Sequence, residues 1–154
     1  MSEITIKKAL EDAKEKEDLA YEFYKKLENV VSDLGAKSII RELAEEEVKH
    51  KELIDEVIKT GKISEIGLNT KCYYTDLGIS KIVLPEVITE DLSVQDVLRI
   101  AMKHEDNSRI FYEKMAERFK GEEAEELFQK LAVEESCHRN NIQEIYDDIV
   151  LSEN

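Results

Sequence analysis

Displaced by 88 positions, the chain falls on itself without a gap: Glu17 meets Glu105, Phe23-Tyr24 meets Phe111-Tyr112, Leu43-Ala44 meets Leu131-Ala132, and Glu47 and His50 meet Glu135 and His138. Thr5 falls on Ser93 as well. Such a register reads as two copies of one structural unit. Each copy contains two stretches in which the residues that are not freely polar recur at alternating steps of three and four. The first seam is Leu10, Ala13, Glu17, Ala20, Tyr24, Leu27 and Val31; the second is Ala36, Ile40, Leu43, Glu47, His50, Ile54 and Val57. In the other copy they are Leu98, Ala101, Glu105, Ser108, Tyr112, Met115 and Phe119, then Ala124, Phe128, Leu131, Glu135, His138, Ile142, Ile145 and Ile149. That spacing is one face of a helix packed at a shallow angle on its neighbours.

The expected fold is therefore all-α, with helices over about 6–31, 35–60, 94–119 and 122–150. Thr5 and Ser93 stand where N-caps would start the first and third helices, and Gly61 where the second should stop. The connections inside each half are short, which predicts antiparallel hairpins. Between them, over about 61–92, lies a connection too long for a tight turn. It contains CYYTDLGISKIVLP and is expected to cross the bundle, with KIVLP extended. At 154 residues the whole chain is expected to be one four-helix domain built from two repeated hairpins and a long crossover.

Acidic residues outnumber basic ones 36 to 22, for a formal net charge of -14, with no basic run to offset it. Nucleic acid and anionic membranes are excluded as expected partners. The N-terminal MSEITIKKALEDAKEKE has no apolar core of signal-peptide length, and no stretch is long and apolar enough to span a bilayer. A soluble, cytoplasmic protein is expected. Cys72 and Cys137 form no CxxC pair, so no disulfide framework or thiolate metal site is suggested, and both are read as ordinary thiols.

Apart from Ser108, the polar residues on the four seams are Glu17, Glu47, His50, Glu105, Glu135 and His138, placed symmetrically by the repeat. An ionised carboxylate in a dry interior costs several kcal/mol even after relaxation, so four converging ones require positive charge among them. No lysine or arginine occupies a seam position. Two divalent cations would balance the four carboxylates to zero with both imidazoles neutral. Glutamate is so abundant here that a single Glu-x-x-His would mean little. Two of them in the repeat register, with a partner glutamate on each remaining helix, match the arrangement of di-metal carboxylate bundles.

The segments EKEDLAYEFY, LAEEEVKHKELI, AMKHEDNSRIFY and LAVEESCHRNNI resemble the four core helices of the ferritin-like superfamily, closest to its rubrerythrin branch. The resemblance spans nearly the whole chain apart from the crossover, where that family also has its long connection. It implies that Glu47 and Glu135 bridge two metal ions, with Glu17 and His50 completing one and Glu105 and His138 the other. An open, oxygen-rich site with one imidazole per ion suits iron, with manganese or zinc as alternatives. The implied activity is reduction of H2O2 or O2 by a non-haem di-iron oxidoreductase. Ferroxidase activity serving iron storage or delivery, and a metal-stabilised structural or regulatory bundle, are the other readings. Full-length rubrerythrins carry a rubredoxin-like domain with two CxxC motifs, absent here, so electrons are expected from an external donor such as a rubredoxin-like protein. The family's additional glutamate three residues after the third-helix ligand is Ser108 in this chain. In that respect the symmetric set looks as much like bacterioferritin. A homodimer is expected.

Around this set, Tyr24 and Tyr112 lie two turns beyond Glu17 and Glu105 and are candidates to donate to ligand carboxylates. Glu46 and Glu134 precede the bridging glutamates; as alternatives to simple solvation, Glu46 would accept from His138 and Glu134 from His50. His104 sits about 100 degrees round the helix from Glu105 and should flank the site without ligating. Asp18 and Asp106 are expected to point outward into solvent.

Overall fold

The structure is a computed structural model that describes residues 4–63 and 92–153. Four helices account for nearly all of them: α1 (Ile6–Val30), α2 (Leu34–Thr60), α3 (Val94–Arg118) and α4 (Glu123–Glu153). The expected crossover, including KIVLP and Cys72, lies outside the described residues apart from its two ends.

Local chemistry sets the helix ends. Thr5 accepts from the Lys8 amide and Ser93 from the Asp96 amide, each at 3.1 Å, so the two repeat-related caps perform one task. Asp33 caps α2 by accepting from Ala36 N at 2.9 Å. Gly61 ends α2 in the left-handed region at φ 70°, donating to the Val57 carbonyl at 2.8 Å. The turn between α3 and α4 passes through Gly121 at φ 84°, which a side chain would strain. α4 continues to Glu153, beyond its expected end.

α1 packs on α2 and α3 on α4 as two hairpins. The seams do face inward. Ala13, Tyr24 and Leu27 of α1, Ile40 and Ile54 of α2, Leu98 and Tyr112 of α3, and Phe128 and Leu131 of α4 are all fully buried. The apolar residues form two clusters. One gathers Leu10, Ile54, Phe119, Phe128 and Leu131; the other gathers Leu27, Ile40, Leu43, Leu98, Met102 and Ile142. The carboxylates and imidazoles of the seams belong to neither and form a polar layer between them. Each apolar cluster shields one side of that layer from water, which raises the cost of charge inside it.

Two expectations fail at residues just off the seams. Asp106 is 6% exposed and does not point into solvent: Arg139 of α4, itself 1% exposed, approaches it at 3.7 Å and Arg109 at 3.6 Å. The repeat places Asp18 and Lys51 at the equivalent positions, and they pair at 2.5 Å, with half of the Asp18 side chain in solvent. One ion pair of the repeated unit has thus been kept twice, once dry and once wet. Cys137 is not an ordinary thiol but disulfide-bonded, its partner lying outside the described residues. Disulfide formation depends on approach in space, to which a search for nearby CxxC spacing is blind.

Candidate metal centre

Glu17, Glu47, Glu105 and Glu135 are fully buried, His50 is 1% exposed and His138 9%. One donor atom from each of Glu17, Glu47, His50 and Glu135 lies within 4.8 Å of the others. The same holds for Glu47, Glu105, Glu135 and His138. Glu47 and Glu135 belong to both sets. The two imidazoles stack across the centre, 5.6 Å between ring centroids and 12° from parallel. Each turns Nδ1 inward, His50 to Glu135 at 3.2 Å and Glu17 at 3.7 Å, His138 to Glu105 at 3.6 Å.

The opposite ring nitrogens face the other hairpin. His50 Nε2 is 3.9 Å from Glu134 and His138 Nε2 is 3.8 Å from Glu46, the cross-pairing that the sequence offered only as the alternative to solvation, here at ion-pair rather than hydrogen-bond distance. The tyrosines cross over too. Tyr24 donates to Glu105 Oε1 at 2.6 Å, and Tyr112 donates to Glu17 Oε1. His104 stays out of the donor sets and lies flat on Phe23, 4.3 Å between centroids.

The donor set fits divalent cations. Both oxygens of Glu47 and of Glu135, Oε2 of Glu17 and of Glu105, and Nδ1 of both histidines are buried without a hydrogen-bond partner. Leaving so many acceptors dry and unmatched is untenable unless something positive serves them. Without cations, protons take that place. Burial, then the charge of Glu135, pushes Glu105 up to about 8, and the same two causes hold Glu47 well above the usual carboxylate range. Burial opposes charge on His138, but Glu105 and Glu46 outweigh it and raise the imidazole to about 10. His50 is raised well above its ordinary value against the same burial by Glu134, Glu135 and Glu17. Carboxylates and imidazoles that must give up protons to act as donors are what a metal site offers.

The rubrerythrin family profile matches residues 8–146. The chain belongs to the rubrerythrin family. Among solved structures it is similar to a hypothetical protein from Pyrococcus furiosus, at 26% identity and a TM-score of 0.61, over 96% of this chain and 91% of that one. No curated protein matches it. As in the sequence reading of this rubrerythrin-family chain, Ser108 stands three residues after Glu105, 2% exposed, so no further carboxylate enters the layer there.

One charged group near the layer escapes a search of seam positions. Lys16 lies one residue off its seam, yet its ammonium is 3.7 Å from Glu17 Oε1, and only 18% of the side chain is exposed. The flexible stem carries the charge where the backbone position alone would not. Two divalent cations would therefore not bring the layer to zero, as the seams suggest, but leave one positive charge in excess. A Lys immediately before a buried Glu was the available signal.

Proposed function

We propose that this chain is a non-haem di-iron carboxylate oxidoreductase that reduces hydrogen peroxide or dioxygen with electrons from an external donor. The observation that carries the reading is the pair of four-donor sets sharing Glu47 and Glu135. Glu17 and His50 would complete one iron, Glu105 and His138 the other. Bound there, a pair of irons supplies two electrons by passing from ferrous to ferric, the number that turns one H2O2 and two protons into two waters.

The chain's part is to hold and shield. Tyr24 and Tyr112 fix the outer carboxylates Glu105 and Glu17, each from a different helix, so neither swings freely. Glu134 and Glu46 face the outward nitrogens of the histidines and favour the tautomer that leaves Nδ1 free to bind. The two apolar clusters keep bulk water from two sides of the layer. Iron suits this oxygen-rich donor set better than zinc, and manganese is the nearest competitor. The electron donor would be a small carrier of rubredoxin type, and the working form a homodimer.

The direct test is stopped-flow oxidation of the anaerobic diferrous protein. Spectra that stay unchanged under excess H2O2 and O2 would remove the proposal. Ser108, buried where a further carboxylate would stand, favours a second reading, in which the same centre oxidises ferrous iron for storage or delivery. Storage requires a closed shell of many subunits, so a dimer by light scattering counts against it. A stoichiometric redox-inert metal after anaerobic purification would instead mark a structural bundle.

A further inference from the structure

The repeat that relates the two hairpins is broken at residues 16 and 104, beside the candidate metal centre. Residue 16 corresponds to residue 104, and both immediately precede an outer glutamate. Both are seated on the same kind of surface, the Phe-Tyr pair of the opposite hairpin. His104 lies parallel to Phe23 at 4.3 Å and edge-on to Tyr24 at 5.0 Å between centroids. Lys16 holds its ammonium 4.9 Å from the centroid of Tyr112 and 5.8 Å from that of Phe111. The aromatic seats match; the occupants do not. One is an imidazole, the other an ammonium.

That cation is placed to be felt. Lys16 Nζ is buried, makes no hydrogen bond, and lies 3.7 Å from Oε1 of Glu17, which also accepts from Tyr112. Its charge is thus neither spread into water nor absorbed by a partner outside the layer, and a second cation bound by Glu17 would feel it little screened. On the other side the ring of His104 meets Phe23 and Tyr24, and Tyr24 in turn donates to Glu105. The ligand types of the two halves are otherwise identical: a glutamate, a histidine, and the two shared glutamates.

We propose that Lys16 makes the two halves of the centre unequal, so that the Glu105–His138 subsite takes a divalent cation first and the Glu17–His50 subsite fills second and more weakly. The inference rests on the two-metal reading of the site. It gives Lys16 a positioning role for charge, acting on a metal ligand without ligating. The inequality would let the second ion be exchanged or delivered while the first stays in place.

Anaerobic titration with Co2+, followed by its visible absorption, tests the order of filling without any turnover. The native protein should show two steps, the first tighter by roughly tenfold or more. The first step should persist in His50→Gln and vanish in His138→Gln. Lys16→Met keeps the stem on the aromatic seat and removes the charge. It should tighten the second step by roughly tenfold while moving the first far less. Lys16→His, which copies the other half, should do the same and stands in if the methionine variant fails to fold. Equal steps in the native protein, or second steps unchanged in a folded Lys16 variant, would overturn the proposal and leave the two-metal reading standing. If neither the native protein nor a folded Lys16 variant takes up a second ion, both are overturned.

Discussion

The phenol of Tyr24 on α1 donates to Oε1 of Glu105 on α3 at 2.6 Å, and the repeat-related pair, Tyr112 and Glu17, makes the same bond in the opposite sense. Each outer carboxylate of the candidate centre is therefore held by the other hairpin. The bond leaves Oε2 of both glutamates without a protein partner, free for a cation. Replacing Tyr24 or Tyr112 by Phe should weaken metal binding by about tenfold to a hundredfold, the usual cost of losing a group that orients a ligand. Helicity should be unaffected. Equilibrium titration with Co2+ checks the first, far-ultraviolet circular dichroism the second. A native metal affinity in both variants would show that these hydroxyls only fill space.

Glu47 and Glu135 are the two residues common to both donor sets, so in the two-metal reading removing either would take a ligand from both ions at once. Glu47→Ala or Glu135→Ala should abolish paired metal binding. Glu17→Ala should spare one ion. Metal stoichiometry after anaerobic loading separates these cases. Two tightly held ions in either of the first variants would contradict the assignment of Glu47 and Glu135 as bridges.

The polar layer was legible in the sequence because its members interrupt an apolar period that their own neighbours enforce. Glu17 lies between Ala13 and Ala20 on one face, and all three are buried. Helix ends were legible where a side chain or a glycine makes the cap, as at Thr5, Ser93 and Gly61. What periodicity misses is reach. Lys16 and Arg139 start off the seam and carry their charges inward along flexible stems, so a reading by helical angle places them outside. Asp106 is buried for the related reason that Arg139 and Arg109 close over it. Cys137 could not be paired from spacing alone, since disulfide formation depends on approach in space.

The Asp106–Arg139 and Asp18–Lys51 pairs occupy equivalent positions of the repeat but differ in burial, which makes them a controlled comparison. Asp106→Ala removes the carboxylate that faces the buried guanidinium of Arg139. The expected loss is about 3–5 kcal/mol of stability. Asp18→Ala breaks a pair whose partners remain in reach of water, and the expected loss is about 0–1 kcal/mol. Urea denaturation of the metal-free variants measures both. Equal losses would mean that burial of Asp106 does not set its contribution.

The protons that stand in for cations in the metal-free layer make its stability depend on pH in a defined direction. Glu105 titrates at about 8 in the folded chain, above its ordinary 4.5, because it is buried and faces Glu135. Between those values the folded state holds a proton that the unfolded state has lost, so stability falls as pH rises. His138 is raised from 6.5 to about 10 by Glu105 and Glu46 against the opposing cost of burial; its contribution is complete below 6.5 and lost as pH climbs to 10. His104 acts the other way: burial, then the charge of Lys16, lowers it to about 4, so its penalty appears only as pH falls below 6.5. Above about 6.5 the Glu105 and His138 shifts therefore act together. The Tm of the metal-free protein should drop steadily from pH 6.5 to about 9.5, whereas the loaded protein should show little of this dependence. Loading should also release protons into a weakly buffered solution, and metal affinity should rise with pH over the same window. A metal-free Tm that holds constant or rises between those limits would show that Glu105 and His138 do not carry the charge of the empty layer.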